Sequence, residues 1–272
     1  MSINSGDLIA HFNKLWPLEG AESWDAPGLI VGSENRRISR VLLSVDVTSE
    51  VVSEAIDGQF DLILSHHPFI MRGVSSLAES TAKGSVLTQA IRSGVDLYAA
   101  HTNADIVEHG VSAALANSLG ITEAVALEPA GEAVGHGRIG ALPAPVKLGE
   151  FARLVSRVLP STAQGVKVSG DYDRLVQRIA VCGGAGDSFI AAAESAGADV
   201  YLTSDLRHHP VQDSRERSIL SGNDMALIDI AHWAGEWLWL ELAAEQLSKE
   251  FSTVQFVVSH LRTDPWDFLV TQ

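Results

Sequence analysis

The stretches RVLLSVD at Arg40–Asp46 and FDLILSHHP at Phe60–Pro68 decide the fold of this chain. Each holds a short run of Val, Leu and Ile that ends in polar residues, as is typical of a β-strand buried on both faces. The segment between them, Ser49–Ile56, has a helical pattern. Strand, helix and strand in this order indicate an α/β fold, in which functional side chains gather at the carboxyl ends of the strands.

The same order recurs in the second half of the chain, where RIAVCGG begins at Arg178 and ADVYLTSD follows it. Asp61 stands 21 residues after Arg40, and Asp199 stands 21 residues after Arg178. A third predicted strand in each half ends in Ala-His, and a carboxylate follows each His by four residues. The agreement predicts two similar α/β domains related by an internal duplication, with a metal site at the strand ends between them.

A segment rich in Gly, Pro and Ala, Glu128–Gly137, separates the two series of strands and predicts the domain boundary. We therefore expect a first domain at 1–127 and a second at 128–272, since 272 residues is about twice the usual length of one domain. Ser85–Arg92 is a further helical segment. The other predicted strands are Asp61–His66, Asp96–His101, Gly137–Leu142, Val166–Ser169, Arg178–Cys182, Asp199–Thr203, Ala226–Ala231 and Thr253–Ser259.

The composition narrows the classes of partner. The chain carries 19 Lys and Arg against 34 Asp and Glu, a formal charge of −15, which argues against a large surface for DNA or RNA. A small anionic substrate held by a metal stays compatible with this charge. Cys182 is the only cysteine, so an intramolecular disulfide and a thiolate-rich zinc site are excluded. Without a signal-peptide pattern or an apolar run of roughly 20 residues, the chain is expected to be cytoplasmic with no membrane partner.

Pairs of His and carboxylate residues at predicted strand ends carry the candidate chemistry. His66 and His67 follow the run LILS, and Pro68 ends that strand, which would turn the two imidazoles toward separate ions. His232 and Glu236 are four residues apart, so on a helix they would face one ion. The structural alternatives are two hydrogen-bonded histidines at a strand end and a helix-capping pair.

His101 and Asp105 repeat this spacing in the first half, although Thr102-Asn103-Ala104 is predicted to be a loop. In the second half, the helix that carries Glu236 is expected to begin near Ala234. The combined set has too many ligands for one tetrahedral ion with an open position. It favours two ions roughly 3.5–4 Å apart, with Glu236 as the bridging carboxylate. Such ligands suit Zn, Mn, Fe, Co or Ni, and the sequence does not choose among them.

Three other features have both a functional and a structural interpretation. Thr203–His209 follows a predicted strand and is either a set of substrate contacts or a polar loop. Gly183–Gly186 resembles a phosphate-cradling turn but lacks a full dinucleotide or P-loop pattern, which favours a tight turn. Cys182 lies in an apolar strand without a basic neighbour and is predicted to be an inert core thiol.

Six motifs together resemble the Nif-three-like dinuclear metal-centre proteins, many of which bear the name GTP cyclohydrolase 1 type 2 homologue. The resemblance runs nearly from end to end, and the combination of HHP, HTxxD and HxxxE is its most specific part. The motifs are SWDAPGL (Ser23–Leu29), LILSHHPF (Leu62–Phe69), AAHTNAD (Ala99–Asp105), GHGRIGAL (Gly135–Leu142), DVYLTSDLRHH (Asp199–His209) and DIAHWAGE (Asp229–Glu236).

The resemblance implies a two-domain α/β subunit in a toroidal homohexamer, with the metal sites facing an internal cavity. It also implies that His101 supports a ligand rather than binding the metal, and that His209 touches the substrate. Ala26 and Ser204 stand where the family frequently has Asn and Gly, and neither residue belongs to the implied ligand set. The implied metal ligands are the five that the spacing suggested: His66, His67, Asp105, His232 and Glu236.

The activity that the resemblance implies is that of a metal-dependent hydrolase, in which two divalent ions lower the pKa of a bridging water. The family name would direct this water to C8 of the guanine ring of GTP, opening the ring and releasing formate. A metal-dependent nucleotide phosphoesterase would need the same ions. A non-catalytic metal-binding or regulatory hexamer is the alternative outside enzymology.

Overall fold

The computed structural model describes residues 2–131, 134–222 and 224–271. They form two compact units. The first unit is Met1–Ala104 with Leu240–Thr263, and the second unit is Asp105–Trp239 with Asp264–Gln272. The domain boundary predicted from Glu128–Gly137 stays a prediction, and Glu132 and Ala133 of that segment lie outside the described residues.

Strands and helices alternate along most of the chain. The strands are β1 (Ile3–Asn4), β2 (Gly28–Val31), β3 (Arg37–Ile38), β4 (Arg40–Ser44), β5 (Leu62–Ser65), β6 (Asp96–Ala99), β7 (Thr122–Val125), β8 (Glu128–Pro129), β9 (Gly135–His136), β10 (Arg138–Lys147), β11 (Lys167–Ser169), β12 (Leu175–Ala185), β13 (Val200–Ser204), β14 (Ala226–Ile230) and β15 (Gln255–Val258). The α-helices are α1 (Ser5–Leu15), α2 (Ser49–Asp57), α3 (Ala82–Ser93), α4 (Thr102–Asp105), α5 (Val111–Ser118), α6 (Leu148–Val158), α7 (Ile190–Ser195), α8 (His208–Ser221) and α9 (His232–Glu250).

The first unit contains a five-stranded sheet in the order β15-β4-β5-β6-β2. Neighbouring strands from β15 to β6 are parallel, and β2 runs antiparallel to β6. All residues of β5 and β6 are buried, as their LILS and DLYA sequences require. The helix α2 begins after Thr48, whose hydroxyl oxygen accepts a hydrogen bond from the Val51 amide at 3.2 Å. Its Val51, Val52 and Ala55 pack in the apolar core of this unit.

The second unit contains a six-stranded sheet in the order β11-β14-β13-β12-β10-β7. Its central strands β12, β13 and β14 are parallel, and the others pair antiparallel with their neighbours. Every residue of β13 and β14 is buried. Two apolar clusters fill this unit, one around Phe151 and Leu202 and one around Tyr201 and Ile190.

These sheets confirm the predicted α/β class. The segments compared in the two halves of the sequence form β4-β5-β6 and β12-β13-β14, and each set is three neighbouring parallel strands. The internal duplication itself stays a prediction. Within the three described stretches of chain, no helix combines the length and the apolar character needed to cross a bilayer.

Two local predictions are wrong. The residues after His101 form the short helix α4 rather than a loop, because the Ala104 amide donates to the carbonyl of His101 at 2.8 Å and closes a turn. The helix α9 begins at His232 rather than near Ala234. Its first turn is closed by the Gly235 amide, which donates to the Ala231 carbonyl at 3.1 Å.

Candidate metal centre

His66 and His67 directly follow β5, where the backbone extends the pairing with β4. The amide of His66 donates to the carbonyl of Ser44 at 3.0 Å, and that of His67 donates to Val45 at 2.8 Å. His66 is completely buried. The two ring centroids are 5.0 Å apart at an angle of 42°. The strand end therefore holds two imidazoles side by side, and their orientation toward separate ions stays a prediction.

The Nδ1 atoms of these two imidazoles have oxygen partners within the first unit. His66 Nδ1 lies 2.9 Å from the carbonyl of Ala100. A carbonyl only accepts, so His66 donates from Nδ1–H, and Nε2 is the ring nitrogen that would bind a metal. His67 Nδ1 lies 2.7 Å from Oδ1 of Asp46. Metal-binding histidines commonly donate the other ring N–H to a carboxylate or carbonyl, and this partner fixes the ring and makes the ligand nitrogen more basic.

His101 completes a cluster of three histidines in the first unit. Each of His66, His67 and His101 offers a ring nitrogen, and these three nitrogens lie within 4.8 Å of one another. His101 Nδ1 lies 2.7 Å from Oδ1 of Asp25, whose side chain is fully buried. The family resemblance implies that His101 supports a ligand, which stays a prediction; its ring centroid lies 5.2 Å from that of His66 and 5.3 Å from that of His67.

Asp25 is held as a charged group. It accepts hydrogen bonds from the Thr102 amide at 3.1 Å and the Ala26 amide at 2.7 Å, besides those from His101 and the Thr102 hydroxyl. Burial alone would raise the pKa of Asp25, but the hydrogen bonds from His101 and Thr102 outweigh burial and lower that pKa to about 2. The carboxylate is therefore ionised at neutral pH and orients the Nδ1–H of His101.

The second unit brings His232 and Glu236 together at the start of α9. His232 Nε2 lies 2.8 Å from Oε1 of Glu236, and its Nδ1 lies 2.8 Å from Oδ2 of Asp205. Glu236 is 2% exposed. The charge of Glu236 raises the pKa of His232 to about 11 against the opposing effect of burial, and Asp205 adds to the rise. A divalent ion at Nε2 would take the place of a proton, because metal binding requires the neutral imidazole.

Asp205 follows the buried strand β13 in an unusual backbone conformation. Its φ is 55°, in the left-handed region that Asp tolerates better than most residues. The hydrogen bond to His232 lowers the pKa of Asp205. This residue lies in the Thr203–His209 segment, whose sequence left substrate contacts and a polar loop open. The structure gives Asp205 a third role, as the partner of a candidate ligand.

Asp105 is the last residue of α4 and is half-buried. The chain directly after it is fixed to the β9–β10 region of the same unit. The Gly135 amide donates to the carbonyl of Ile106 at 2.9 Å, and the guanidinium of Arg138 donates to that of Val107. Arg138 is 4% exposed, and burial lowers the pKa of its guanidinium. The GHGRIGAL motif therefore secures the segment that carries Asp105.

The remaining sequence candidates lie elsewhere. His209 is exposed near the start of α8, in a pair with His208 whose ring centroid is 5.2 Å away, and its contact with substrate stays a prediction. Cys182 is buried in β12, and burial raises the pKa of its thiol to about 12. A thiol that holds its proton so strongly is a poor nucleophile, in agreement with an inert core residue.

Sequence reasoning missed the three aspartates that orient the histidines: Asp25, Asp46 and Asp205. The rule that selected the histidines also applies to Asp46 and Asp205, because each ends a predicted strand or follows one. Asp25 stands in the SWD motif before β2, where no strand was predicted. The donor set of imidazoles and carboxylates, with a carboxylate or carbonyl on each Nδ1, fits divalent metal ions.

Comparisons with known proteins give the family. A family profile described as Duf34/NIF3 (NGG1p interacting factor 3) matches residues 3–265. A relative from Streptomyces coelicolor, named GTP cyclohydrolase 1 type 2 homolog, is 42% identical over 269 residues, which covers 96% of this chain and 92% of that protein. A Clostridium perfringens relative of the same name is 30% identical over 266 residues, which covers 97% of this chain and 98% of that protein.

Solved structures share the fold along nearly the whole chain. A Bacillus cereus protein related to NIF3 aligns with a TM-score of 0.90 at 24% identity, covering 98% of this chain and 99% of that one. A Staphylococcus aureus protein aligns with a TM-score of 0.88 at 27% identity, also covering 98% and 99% of the two chains.

Proposed function

This chain belongs to the Duf34/NIF3 family, and from that membership we propose that it is a divalent-metal-dependent hydrolase with two ions per subunit. One observation supports the proposal more than any other. The Nδ1 of each candidate histidine ligand lies at hydrogen-bonding distance from a carboxylate or carbonyl oxygen of its own unit. The proposed ligands are His66, His67, Asp105, His232 and Glu236.

The protein residues do three things in this proposal. Asp46 and Asp205 accept from the Nδ1–H of their histidines, which leaves Nε2 as the atom that would bind a metal in place of a proton. Buried Glu236 would supply its carboxylate to the ions. Asp25 keeps His101 in one tautomer beside the other two imidazoles. The bound ions would supply an activated water and polarise the bond that is cleaved.

We propose a nucleotide or a related small molecule as the substrate. The Streptomyces coelicolor and Clostridium perfringens relatives bear the name GTP cyclohydrolase 1 type 2 homolog, which makes GTP the first compound to assay. A net charge of −15 repels polyanions, so a small substrate bound through metal ions is favoured over DNA.

We also propose a toroidal homohexamer, on the strength of the motif resemblance. Light scattering at micromolar concentration should give a mass near six times the 29.0 kDa of one chain. A mass near 29.0 kDa would contradict the assembly without affecting the metal ligands.

Metal content is the first test of the proposed function. Protein purified without chelator should carry up to two transition-metal ions per chain by plasma mass spectrometry, and the double variant His232→Ala, Glu236→Ala should lose most of them. The matched control is Glu245→Ala, Lys249→Ala, an exposed ion pair 2.7 Å apart with the same four-residue spacing on α9. Equal metal content in the two double variants would contradict the ligand assignment.

Turnover is the second test. Asp105→Asn keeps the size of the side chain and removes its charge, so it should weaken one metal and reduce GTP hydrolysis far more than it lowers the unfolding temperature. Chelation should abolish wild-type activity, and one or two specific divalent ions should restore it. A fully metallated wild type that hydrolyses no nucleotide from about pH 6 to about pH 9 would favour the regulatory alternative.

A further inference from the structure

The segment Gly183-Gly184-Ala185-Gly186, predicted as a tight turn, instead forms the last three residues of β12 and the residue after it, and Gly184 lies directly against His232 and Glu236. Gly184 has a φ of +71°, and a Cβ built on it would lie 2.7 Å from Oε1 of Glu236 and 3.5 Å from Nε2 of His232. These two atoms are the ones that the proposed function assigns to a metal. Any side chain at Gly184 would therefore enter the space beside both donor atoms.

Buried side chains fix the backbone of this segment. The hydroxyl of Thr203 donates to the carbonyl of Gly184 at 3.0 Å, and that of Tyr201 donates to the carbonyl of Gly186 at 2.7 Å. Thr203 and Tyr201 are completely buried on β13, the parallel neighbour of β12. On the other side, the Gly183 amide donates to the hydroxyl oxygen of Ser112 at 3.2 Å. The segment is thus held by hydrogen bonds at Gly183, Gly184 and Gly186.

We propose that this segment is a positioning element for the ligand pair His232 and Glu236, an inference that rests on the proposed function. Gly184 leaves room for the Glu236 carboxylate to meet Nε2 of His232. Thr203 is a positioning residue, since its hydroxyl fixes the carbonyl of Gly184 and so the distance of the segment from Glu236. Glycine is required at position 184 by close packing against the ligand pair, whereas a Cβ at Gly183 would meet Val111 and one at Gly186 would meet Thr203 and Tyr201.

The first experiment compares two glycines with nearly the same backbone. Gly184→Ala introduces both left-handed strain and a methyl group beside Glu236, whereas Gly197→Ala introduces the strain alone. Gly197 has a φ of +70° and open space within 4 Å of its Cβ position. Both variants should lose stability, Gly184→Ala at least as much as Gly197→Ala because of the close contact of its methyl group with Glu236. Only Gly184→Ala should weaken Co²⁺ binding, by about 10- to 100-fold, the range found when the support of a metal ligand is removed. Equal Co²⁺ affinity in the two variants would overturn the inference.

The second experiment removes one hydroxyl. Thr203→Val keeps the branched shape and deletes the hydrogen bond to Gly184, while Thr203→Ser keeps the bond. In Co²⁺-loaded protein, Thr203→Val should change the visible absorption spectrum, which reports the ligand geometry, and Thr203→Ser should restore the wild-type spectrum. A spectrum unchanged in Thr203→Val would overturn the role of Thr203.

A third measurement separates this inference from the proposed function. In metal-free protein, the ring ¹⁵N shifts of His232 should move in Gly184→Ala and stay as in wild type in Gly197→Ala, because the contact with Glu236 exists without an ion. If wild type takes up no Co²⁺ but these shifts differ as expected, the metal function fails and the positioning role stands. If the shifts agree in both variants while wild type binds Co²⁺, the positioning role fails and the metal function stands.

Discussion

Asp25→Asn tests whether a buried charge holds His101 in place. Oδ1 of Asp25 accepts hydrogen bonds from His101 and Ala26, and Oδ2 accepts two from Thr102. An asparagine has nearly the same shape, but its NH₂ group can only donate. One of the two pairs of donors would therefore face another donor in the buried variant.

The structure sets the size of the effect. The pKa of Asp25 falls to about 2 from an ordinary value of 3.8, because its hydrogen bonds outweigh the effect of burial. One pKa unit corresponds to about 1.4 kcal/mol, so the ionised form stabilises the fold by about 2 kcal/mol. With buried donors left unpaired as well, Asp25→Asn should lower the free energy of unfolding at pH 7 by about 2–4 kcal/mol.

The direction of the pKa shift determines how the stabilisation by Asp25 changes with pH. Since the pKa in the folded state lies below that in the unfolded state, the stabilisation is complete above about pH 4 and is lost as the pH falls toward 2. Urea unfolding of metal-free protein should show a wild-type advantage that is constant from pH 7 to about pH 4.5 and shrinks below about pH 4. Asp57→Asn, at an exposed position on α2, is the control. A loss under about 0.5 kcal/mol at pH 7, or one that does not shrink in acid, would refute the reasoning.

Three further outcomes are expected. Asp205→Asn should weaken metal binding by about 10- to 100-fold in calorimetry with little change in fold, since it orients His232; unchanged affinity would remove Asp205 from the site. Leu202→Ala should lower the free energy of unfolding by about 2–5 kcal/mol in urea, because Leu202 is fully buried in the core of the second unit; a loss below 1 kcal/mol would contradict that packing. The Cys182 thiol, buried and with its pKa raised to about 12, should react with a thiol reagent only as fast as the protein opens.

How far the sequence predicts this molecule depends on how strongly each element is buried. The strands β5 and β13 are predicted to within one residue at each end, because each holds three consecutive apolar residues that must be covered on both faces. The sequence does not predict the strand β2, since β2 lies at the edge of its sheet and only its first residue is buried. The extension of β10 to Lys147 escapes for the same reason, because its last four residues are mostly exposed.

The site is predictable where its signal is local. Spacing along the chain predicts that His232 pairs with Glu236, and in the structure Nε2 of His232 lies 2.8 Å from Oε1 of Glu236. The aspartates that orient the imidazoles are not found in this way, since each pairing arises only when separate strands or loops come together. The sequence separations are 76 residues for Asp25 and His101, 21 for Asp46 and His67, and 27 for Asp205 and His232.

The pairing of β15 with β4 makes the first unit depend on the part of the chain that the ribosome delivers late. β4 is complete at Ser44, but its neighbour on one side, β15, begins only at Gln255. At a synthesis rate of about 5–20 residues per second, β4 lacks this neighbour for on the order of ten seconds or more. During that time one row of its backbone amides and carbonyls has no strand to pair with. An unpaired apolar strand edge is an aggregation site, and Val41, Leu42 and Leu43 of β4 are all fully buried once the sheet is whole. The nascent protein is therefore expected to rely on a chaperone. A ribosome stalled before Gln255 should hold a first unit in which the edge of β4 is still exposed to non-native strand pairing.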